Sequence, residues 1–221
     1  MFDHQAFSKA MKLALADYLE TGERDQDFGD AWLQALSLFS AKHLEDGGEK
    51  IAFWVNVYNG LTNYQIVHHQ LQKSVWELPG FFADRSFRIG ELDWSLDDIE
   101  HGILRKNGPR KKDKPRAFQE GDARMELMVT QFDPRIHFAL NCGSVSCPPL
   151  AFYSADNLEA ELTLAEKNFA AQEFKVDGEN KIIHCSEIFI WYRSDFPDSY
   201  LNDPQLAGYQ VREIPYQWTI H

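Results

Sequence analysis

The sequence predicts an α+β fold with a helical N-terminal part and a central buried helix packed on a mostly antiparallel sheet. Three patterns predict it: helical periodicity through residue 45, a run over residues 51–70 that is apolar on nearly every side, and β-prone runs in the C-terminal half. With 221 residues, 44% of them hydrophobic, the chain is long enough to bury one core. We expect a single domain over residues 1–221, made of a helical segment (1–45), a core (51–153) and a C-terminal helix, hairpin and strand (154–221).

The N-terminal segment is expected to supply packing surface. Apolar residues at helical spacing predict two amphipathic helices over residues 2–19 and 31–44, and Asp30 is available to cap the second. The segment between them is rich in Gly and Asp, which predicts a loop.

The third predicted helix, over residues 51–70, carries a stripe of asparagines. Asn56, Asn59 and Asn63 fall on one face of an otherwise apolar cylinder. A buried amide without hydrogen bonds costs about 1–3 kcal/mol. We therefore expect Asn56 and Asn59 to bind the backbone of residues 135–148 or a buried carboxylate, Glu100.

The segment 86–105 is predicted to contain short β structure broken at Gly90 and then a helix over residues 96–105. Ser95 and Asp98 have the spacing of a capping box for this helix. Glu100 falls within the apolar arc of the helix, so we expect it to be buried. It then either pairs with a cation or a donor as a structural tie, or has a raised pKa as a functional carboxylate.

Residues 105–116 hold seven of the 22 basic residues and one acid. The preferred interpretation is an exposed, mobile loop, and an anion-binding or partner-docking loop is the alternative.

The run PRIHFAL predicts a strand that ends in the turn NCGSVSCPPL. In a strand, His137 and Cys142 would lie about 16 Å apart on opposite faces, and they meet only if the chain folds back near Gly143. Cys142 would then end the strand beside Gly143 and Ser144, where free backbone N–H groups can hold an anion.

Cys142 is the expected reactive thiol, because Cys147 precedes two prolines that lack N–H groups. A thiolate needs a nearby base or cation, and the candidates are His101 and His137, with Glu100 as acid or orienter. The alternative is that Cys142 is a small buried hydrophobic residue.

Other roles for the two cysteines are less favoured. His137, Cys142 and Cys147 match an H-x4-C-x4-C spacing, but zinc sites usually use tighter cysteine pairs, so we expect no metal and no cofactor. A regulatory disulfide between the two cysteines is a further alternative.

The C-terminal part is predicted to contain a helix capped by Ser154, a hairpin over residues 174–185 with a DGEN turn, and a last strand in YQVREIPYQW.

Charge and cysteine content limit the partners. A formal net charge of −12 argues against nucleic acid and anionic membranes as partners. We expect no signal peptide and no membrane span, because no suitable apolar stretch is present. Three cysteines, an odd number, favour reduced thiols and a cytoplasmic location.

Three blocks of this sequence resemble the domain-of-unknown-function 547 family: IAFWVNVYNGLTNYQIV, SLDDIEHGILR and DPRIHFALNCGSVSCPPL, with a weaker similarity in WYRSDF. The family has no agreed activity. Some relatives lack a histidine at position 137 and have serine at position 147. The resemblance implies that the positions matching the family pattern are Asn56, Asn59, Glu100, His101, Cys142, Gly143 and Pro148.

Two functions are consistent with these residues. The first is a Cys-dependent hydrolase or acyl transferase acting on a small molecule or peptide, and papain-like and transglutaminase-like folds would suit it by analogy. Its catalytic residues would be Cys142, His101, Glu100 and His137, and its substrate-binding residues Asn56, Asn59, Gly143 and Ser144. The second is a non-catalytic binding or protein-interaction module, with a protein partner, whose buried polar network fixes the loop after Leu140. A cleft that reaches the cluster favours the enzyme, whereas a sealed cluster with an exposed apolar patch favours the module.

Overall fold

A computed structural model describes residues 2–25, 27–110 and 114–220 of the protein. It confirms the α+β class. The elements, in chain order, are α1 (His4–Thr21), α2 (Asp30–Ser37), α3 (Gly48–His68), β1 (Phe87–Ile89), β2 (Leu92–Trp94), a π-helix (Asp98–Leu104), α4 (Leu158–Glu173), β3 (Phe174–Asp177), β4 (Ile182–Ser186), α5 (Glu187–Trp191) and β5 (Gln210–Ile214). Short 3-10 helices connect several of them, including Ala123–Leu127 and Pro134–Phe138.

Helix α3 is the centre of the main hydrophobic core. Every residue from 51 to 67 is buried, as the all-round apolar pattern predicts. Its largest contact is with α1, and the π-helix and α4 also contact it. Gly60 allows the close approach of α1, because a Cβ atom there would lie 2.4 Å from the ring of Phe7.

A second, smaller core lies beneath a three-stranded sheet. Strand β4 pairs antiparallel with β3 and parallel with β5. The hairpin β3–β4 and the last strand are thus present as predicted. Helices α4 and α5 contact this sheet, and Phe138, Phe169 and Phe189 fill the core. The sequence predicts that the sheet packs against α3, but the sheet packs mainly against α4. The largest contact of α3 is with α1 instead.

The segment PRIHFAL is not a strand. Residues Pro134–Phe138 form a 3-10 helix, in which Asp133 accepts a hydrogen bond from the N–H of Arg135 at 2.9 Å. An aspartate N-cap followed by proline favours a helical turn more strongly than five alternating residues favour a strand. The predicted opposition of His137 and Cys142 is therefore wrong.

The N-caps of α2 and α4 and the end of α2 also differ from the prediction. Helix α2 has Gly29 rather than Asp30 as its N-cap, and it ends at Ser37 before a short 3-10 helix, Ala41–His43. Helix α4 has Asn157 rather than Ser154 as its N-cap, because the Ser154 N–H and hydroxyl donate to Glu161.

The described part of the basic segment 105–116 is largely anchored. Arg105 is buried against Asp195, and Arg110 forms an ion pair with Asp97. The expectation of an exposed loop is wrong for these two arginines, because their guanidinium groups reach Asp195 and Asp97. It is correct for Lys106 and for residues 114–116, which are exposed. Residues 111–113 lie outside the described residues.

Within the described ranges, no helix is both long and apolar enough to cross a membrane.

Candidate functional site

One cleft of about 180 Å³ is lined by all four predicted catalytic residues, Cys142, Glu100, His101 and His137. Seven of its lining residues are aromatic: Tyr58, Trp76, Phe82, Trp191, Tyr192, Tyr216 and Trp218. We call it the aromatic cleft. Its volume is smaller than the roughly 300–1,000 Å³ of sites for drug-sized ligands, so it suits a small group or one end of a larger ligand.

The π-helix presents Glu100 and His101 to the aromatic cleft. The predicted capping box holds its start: the Asp98 N–H donates to Ser95 Oγ at 3.0 Å, and the Ser95 N–H donates to Asp98 Oδ2 at 3.1 Å. Arg124 Nη1 also donates to Asp98 Oδ2, at 2.8 Å. A single π turn is rare and is frequent at functional sites.

Glu100 is buried and fully hydrogen-bonded, which confirms the burial expected from its place in the apolar arc. The hydroxyl of Tyr192 donates to Oε1 at 2.5 Å, and that of Tyr58 donates to Oε2 at 3.2 Å. Burial acts to raise the pKa of Glu100, but its interaction with the protonated form of His101, present at acidic pH, and the Tyr192 hydrogen bond outweigh burial, and the pKa is lowered. The alternative of a raised pKa is therefore wrong, and Glu100 is a carboxylate at neutral pH.

His101 lies against three charged groups. Its Nδ1 accepts a hydrogen bond from Arg105 Nη1 at 3.1 Å, which assigns the ring proton to Nε2. Nε2 is 3.8 Å from Asp97, and Nδ1 is 3.6 Å from Glu100. Burial lowers the pKa of His101 although both carboxylates act to raise it. The ring is therefore neutral at neutral pH.

His137 is held by an aspartate that the sequence pattern did not single out. Its Nε2 donates to Asp195 Oδ2 at 2.8 Å, and its ring stacks on Tyr192 with centroids 3.8 Å apart. Burial lowers the pKa of His137 despite Asp195, so this ring is also neutral and its Nδ1 is the basic nitrogen. Asp195 also binds Arg105 at 2.7 Å, and the hydrogen bonds from both partners hold its pKa far below the usual range against the effect of burial. Asp195 and Tyr192 lie in the weakly matching WYRSDF block, the only signal that could have indicated them.

The two cysteines of the turn are in contact. Cys142 Sγ lies 2.7 Å from Cys147 Sγ, and the hydroxyl of Tyr216 is 3.1 Å from the first sulfur and 3.0 Å from the second. The Cys142 N–H donates to Cys147 Sγ at 3.0 Å, and Ser144 Oγ is 3.4 Å from both sulfurs. Neither histidine hydrogen bonds to Cys142 within the described residues.

Cys147 has the lower pKa of the two thiols. Burial acts to raise the pKa of the Cys147 thiol, but hydrogen bonds from Cys142, Ser144 and Tyr216 lower it to about 6. Burial raises the pKa of the Cys142 thiol. The expectation that the two prolines after Cys147 disfavour a thiolate there is wrong, because the donors to its sulfur come from Cys142, Ser144 and Tyr216 instead.

The turn requires glycine at position 143. Its φ is +80°, and a Cβ atom there would lie 2.3 Å from Ile66 Cδ1. The Gly143 N–H donates to Asn141 Oδ1 at 2.8 Å and the Cys142 N–H to Cys147, so these two groups are occupied rather than open to an anion.

Asn56 and Asn59 fix the backbone around the site and do not line the aromatic cleft. Asn59 Nδ2 donates to Ala139 O at 3.0 Å, and Asn59 Oδ1 accepts the Asn141 N–H at 2.8 Å, as expected. Asn56 binds the N–H and the carbonyl of Tyr153 instead of residues 135–148. Both amides hold the two ends of the turn on α3.

A second cavity, of about 510 Å³, lies on the Cys147 side of the pair. It is lined by Gly143, Cys147, Asn63 and residues of α1 and α4. Asn63 is buried, and its Nδ2 has no hydrogen-bond partner within the described residues. The two sulfurs therefore separate two cavities.

Among the described residues, no group of three or more His, Cys, Asp or Glu side chains is arranged to hold a metal ion.

A model of the family described as "Protein of unknown function, DUF547" matches residues 42–170, which is more than half of the chain. The matched region contains the π-helix and both cysteines of the turn, but not Asp195 or Tyr216. No curated protein and no solved structure matches the chain. The analogy with papain-like and transglutaminase-like folds is therefore not confirmed.

Proposed function

The chain belongs to the DUF547 family, a family of unknown function, and we propose from the site itself that it is a Cys-dependent acyl transferase or hydrolase. The observation that carries the proposal is the contact between Cys142 and Cys147 in the wall of a cleft that also holds Glu100, His101 and His137. A thiol that lines an open cleft and contacts a sulfur of lowered pKa has the adjacent base that nucleophilic thiol chemistry uses.

Cys142 is the nucleophile and Cys147 is the base. When Cys142 Sγ attacks an acyl carbon, a C–S bond forms and the thiol proton passes over 2.7 Å to the Cys147 thiolate. As the bond to the leaving group breaks, Cys147 returns that proton to the leaving group. The products are a thioester on Cys142, a thiolate on Cys147 and the protonated leaving group. Tyr216 donates to whichever sulfur carries the charge, since its hydroxyl is about equally distant from both.

His137 and Asp195 act in the second half of the reaction. His137 Nδ1 takes a proton from water or another acceptor as that nucleophile attacks the thioester. The C–S bond then breaks, and the proton returns from His137 to Cys142. Asp195 fixes the tautomer through its 2.8 Å hydrogen bond, which leaves Nδ1 free of the ring proton.

An open cleft favours the enzyme over the non-catalytic module. Cys142 is partly exposed, and the polar cluster is not sealed. The hydrogen bonds of Asn56 and Asn59 are those the module hypothesis requires, but they are equally needed to hold a catalytic turn. The proposal includes a reducing, cytoplasmic compartment, since Cys142, Cys147 and Cys185 are free thiols.

Thiol–disulfide exchange is a second candidate, favoured by the same contact between sulfurs. In that reaction Cys142 would attack a disulfide of a substrate, Cys147 would displace the resulting mixed disulfide, and the substrate would leave as two thiols.

The test uses p-nitrophenyl acetate as the acyl donor, with mass mapping of the acetylated peptide. We expect acetylation of Cys142 in wild type, with Cys185 in the same molecule as a buried control thiol. Cys142→Ala should abolish the release of p-nitrophenolate. His137→Gln, which keeps a donor to Asp195, should lengthen the lifetime of acetyl-Cys142 by about 10²-fold or more.

Acetylation of Cys142 no faster than that of Cys185 would overturn the proposal. Thiol–disulfide exchange is supported instead if oxidised glutathione converts Cys142 and Cys147 into an intramolecular disulfide in wild type while p-nitrophenyl acetate does not react.

A further inference from the structure

The aromatic cleft has a continuous aromatic wall. The rings of Trp76 and Trp218 lie 4.8 Å apart, those of Tyr216 and Trp218 lie 4.7 Å apart, and Trp191 stacks on Trp218 at 6.0 Å. Trp76 remains 57% exposed, although a large aromatic side chain is normally buried. The face of an aromatic ring carries negative electrostatic potential, so a wall built of these rings attracts a cation.

The lining of the cleft also carries negative charge. Glu100 lies there between Tyr58 and Tyr192, and it forms no ion pair with a lysine or an arginine of the described residues. Asp97, the other acidic lining residue, is paired with Arg110. Among the described residues, Glu100 is therefore the lining carboxylate that has no direct ion pair with a lysine or an arginine.

No lysine or arginine of the described chain lines the aromatic cleft. The two lining histidines are neutral at neutral pH, because burial lowers the pKa of both. Arg105 lies behind Tyr192, 5.0 Å from its ring centroid, and is bound to Asp195. An anionic ligand would have no counter-charge here, and a neutral ligand would leave Glu100 unpaired.

We propose that the aromatic cleft binds a quaternary ammonium group of the substrate. The inference rests on the proposed function only in treating the cation as part of the substrate. Aromatic faces with a nearby carboxylate are the surroundings that quaternary ammonium groups prefer. A primary ammonium group has three N–H donors to satisfy, whereas half of the fourteen lining residues of the cleft are aromatic and offer it few acceptors. A quaternary group needs none, and it is small enough for a cleft of about 180 Å³.

The test is a titration of the full chain with choline, followed by tryptophan fluorescence and calorimetry. Three of the six tryptophans line the cleft, so binding should change the emission. The neutral isostere 3,3-dimethylbutan-1-ol should bind at least about tenfold more weakly, because it lacks the charge. A peptide with a trimethyllysine residue is titrated in parallel. Tighter binding of choline indicates a small-molecule substrate, and tighter binding of the peptide indicates a protein substrate.

Glu100→Gln should weaken choline binding by about tenfold, whereas Glu91→Gln removes an exposed carboxylate outside the cleft and should change it by less than about twofold. Trp76→Leu, at an exposed position that tolerates substitution, should also weaken it. Equal binding of choline and the neutral alcohol, or no saturable binding of either cation, would overturn the inference.

The same titration is made with Cys142→Ala, which lacks the nucleophile. If choline binds but the acetylation test fails, acyl transfer is rejected and the cation site stands. If Cys142 is acetylated but no cation binds, the cation site is rejected and acyl transfer stands.

Discussion

Replacing Cys147 with serine tests the central feature of the site, the sharing of one thiolate between two sulfurs. In the wild-type protein, hydrogen bonds lower the pKa of the Cys147 thiol from an ordinary value of 9.0 to about 6. In Cys147→Ser the only thiol at the turn is Cys142, whose pKa burial raises. We therefore expect the pH midpoint for thiol reactivity to move from about 6 to above 9.

The size of the effect follows from the two pKa values. At pH 6 the wild-type pair is about half ionised, whereas a thiol with a pKa of 9 is ionised to about 0.1%, a ratio of about 500. A thiolate of low pKa is intrinsically less nucleophilic, and a Brønsted coefficient of about 0.4–0.5 removes about 20-fold of that advantage. The variant should thus react about 20-fold more slowly at pH 6, and this difference should disappear or reverse near pH 9.

The assay is the rate of alkylation by iodoacetamide between pH 5 and 10, with mass mapping of the turn peptide. Cys185 serves as the internal control, because burial raises its pKa to about 11 and it should react slowly in both proteins. If wild type and Cys147→Ser show the same midpoint, the two sulfurs do not share a thiolate, and the base assigned to Cys142 is wrong.

Three further predictions concern stability. Asn59→Ala removes two buried hydrogen bonds to backbone and should cost about 2–5 kcal/mol in urea unfolding, whereas Asn63→Ala, whose Nδ2 has no partner among the described residues, should cost clearly less. Asp195→Asn leaves a buried arginine unpaired and should cost about 3–5 kcal/mol. The pKa of Asp195 is lowered on folding, so this carboxylate stabilises the folded state above its unfolded pKa of about 4, and the stabilisation is lost as the pH falls. The free energy of unfolding of the variant should therefore depend less on pH in the acidic range than that of wild type. Gly143→Ala combines a positive φ with a steric overlap and should cost about 2–4 kcal/mol, more than Gly22→Ala, which has a positive φ but nothing within 4 Å of the added Cβ.

Local patterns in the sequence were sufficient for several parts of the fold. The all-round apolar run predicts the burial of α3, and the position of Glu100 within an apolar arc predicts its burial on the π-helix. The Ser95 and Asp98 capping box and the β3–β4 hairpin are also present. Each of these features depends on residues within a few positions of one another, where helical or strand geometry relates sequence spacing directly to direction in space.

The misassignment of PRIHFAL shows where such patterns compete. Five alternating residues indicate a strand, but Asp133 and Pro134 at their start favour a helical turn, and the tertiary structure selects the turn. That choice decides the site, because it is the 3-10 helix that brings His137 into the same cleft as Cys142.

The chemical partners in the site were decided by tertiary structure alone. Asp195 meets His137 across 58 positions of sequence, and Tyr216 meets Cys142 across 74. The thiolate on Cys147 depends on donors from both its own turn and the C-terminal segment, so neither the prolines beside it nor its spacing from Cys142 indicates its pKa. Periodicity specifies which way a side chain points, but the residue it faces is set by the packing of distant elements, and the ionisation of a buried group depends on that neighbour.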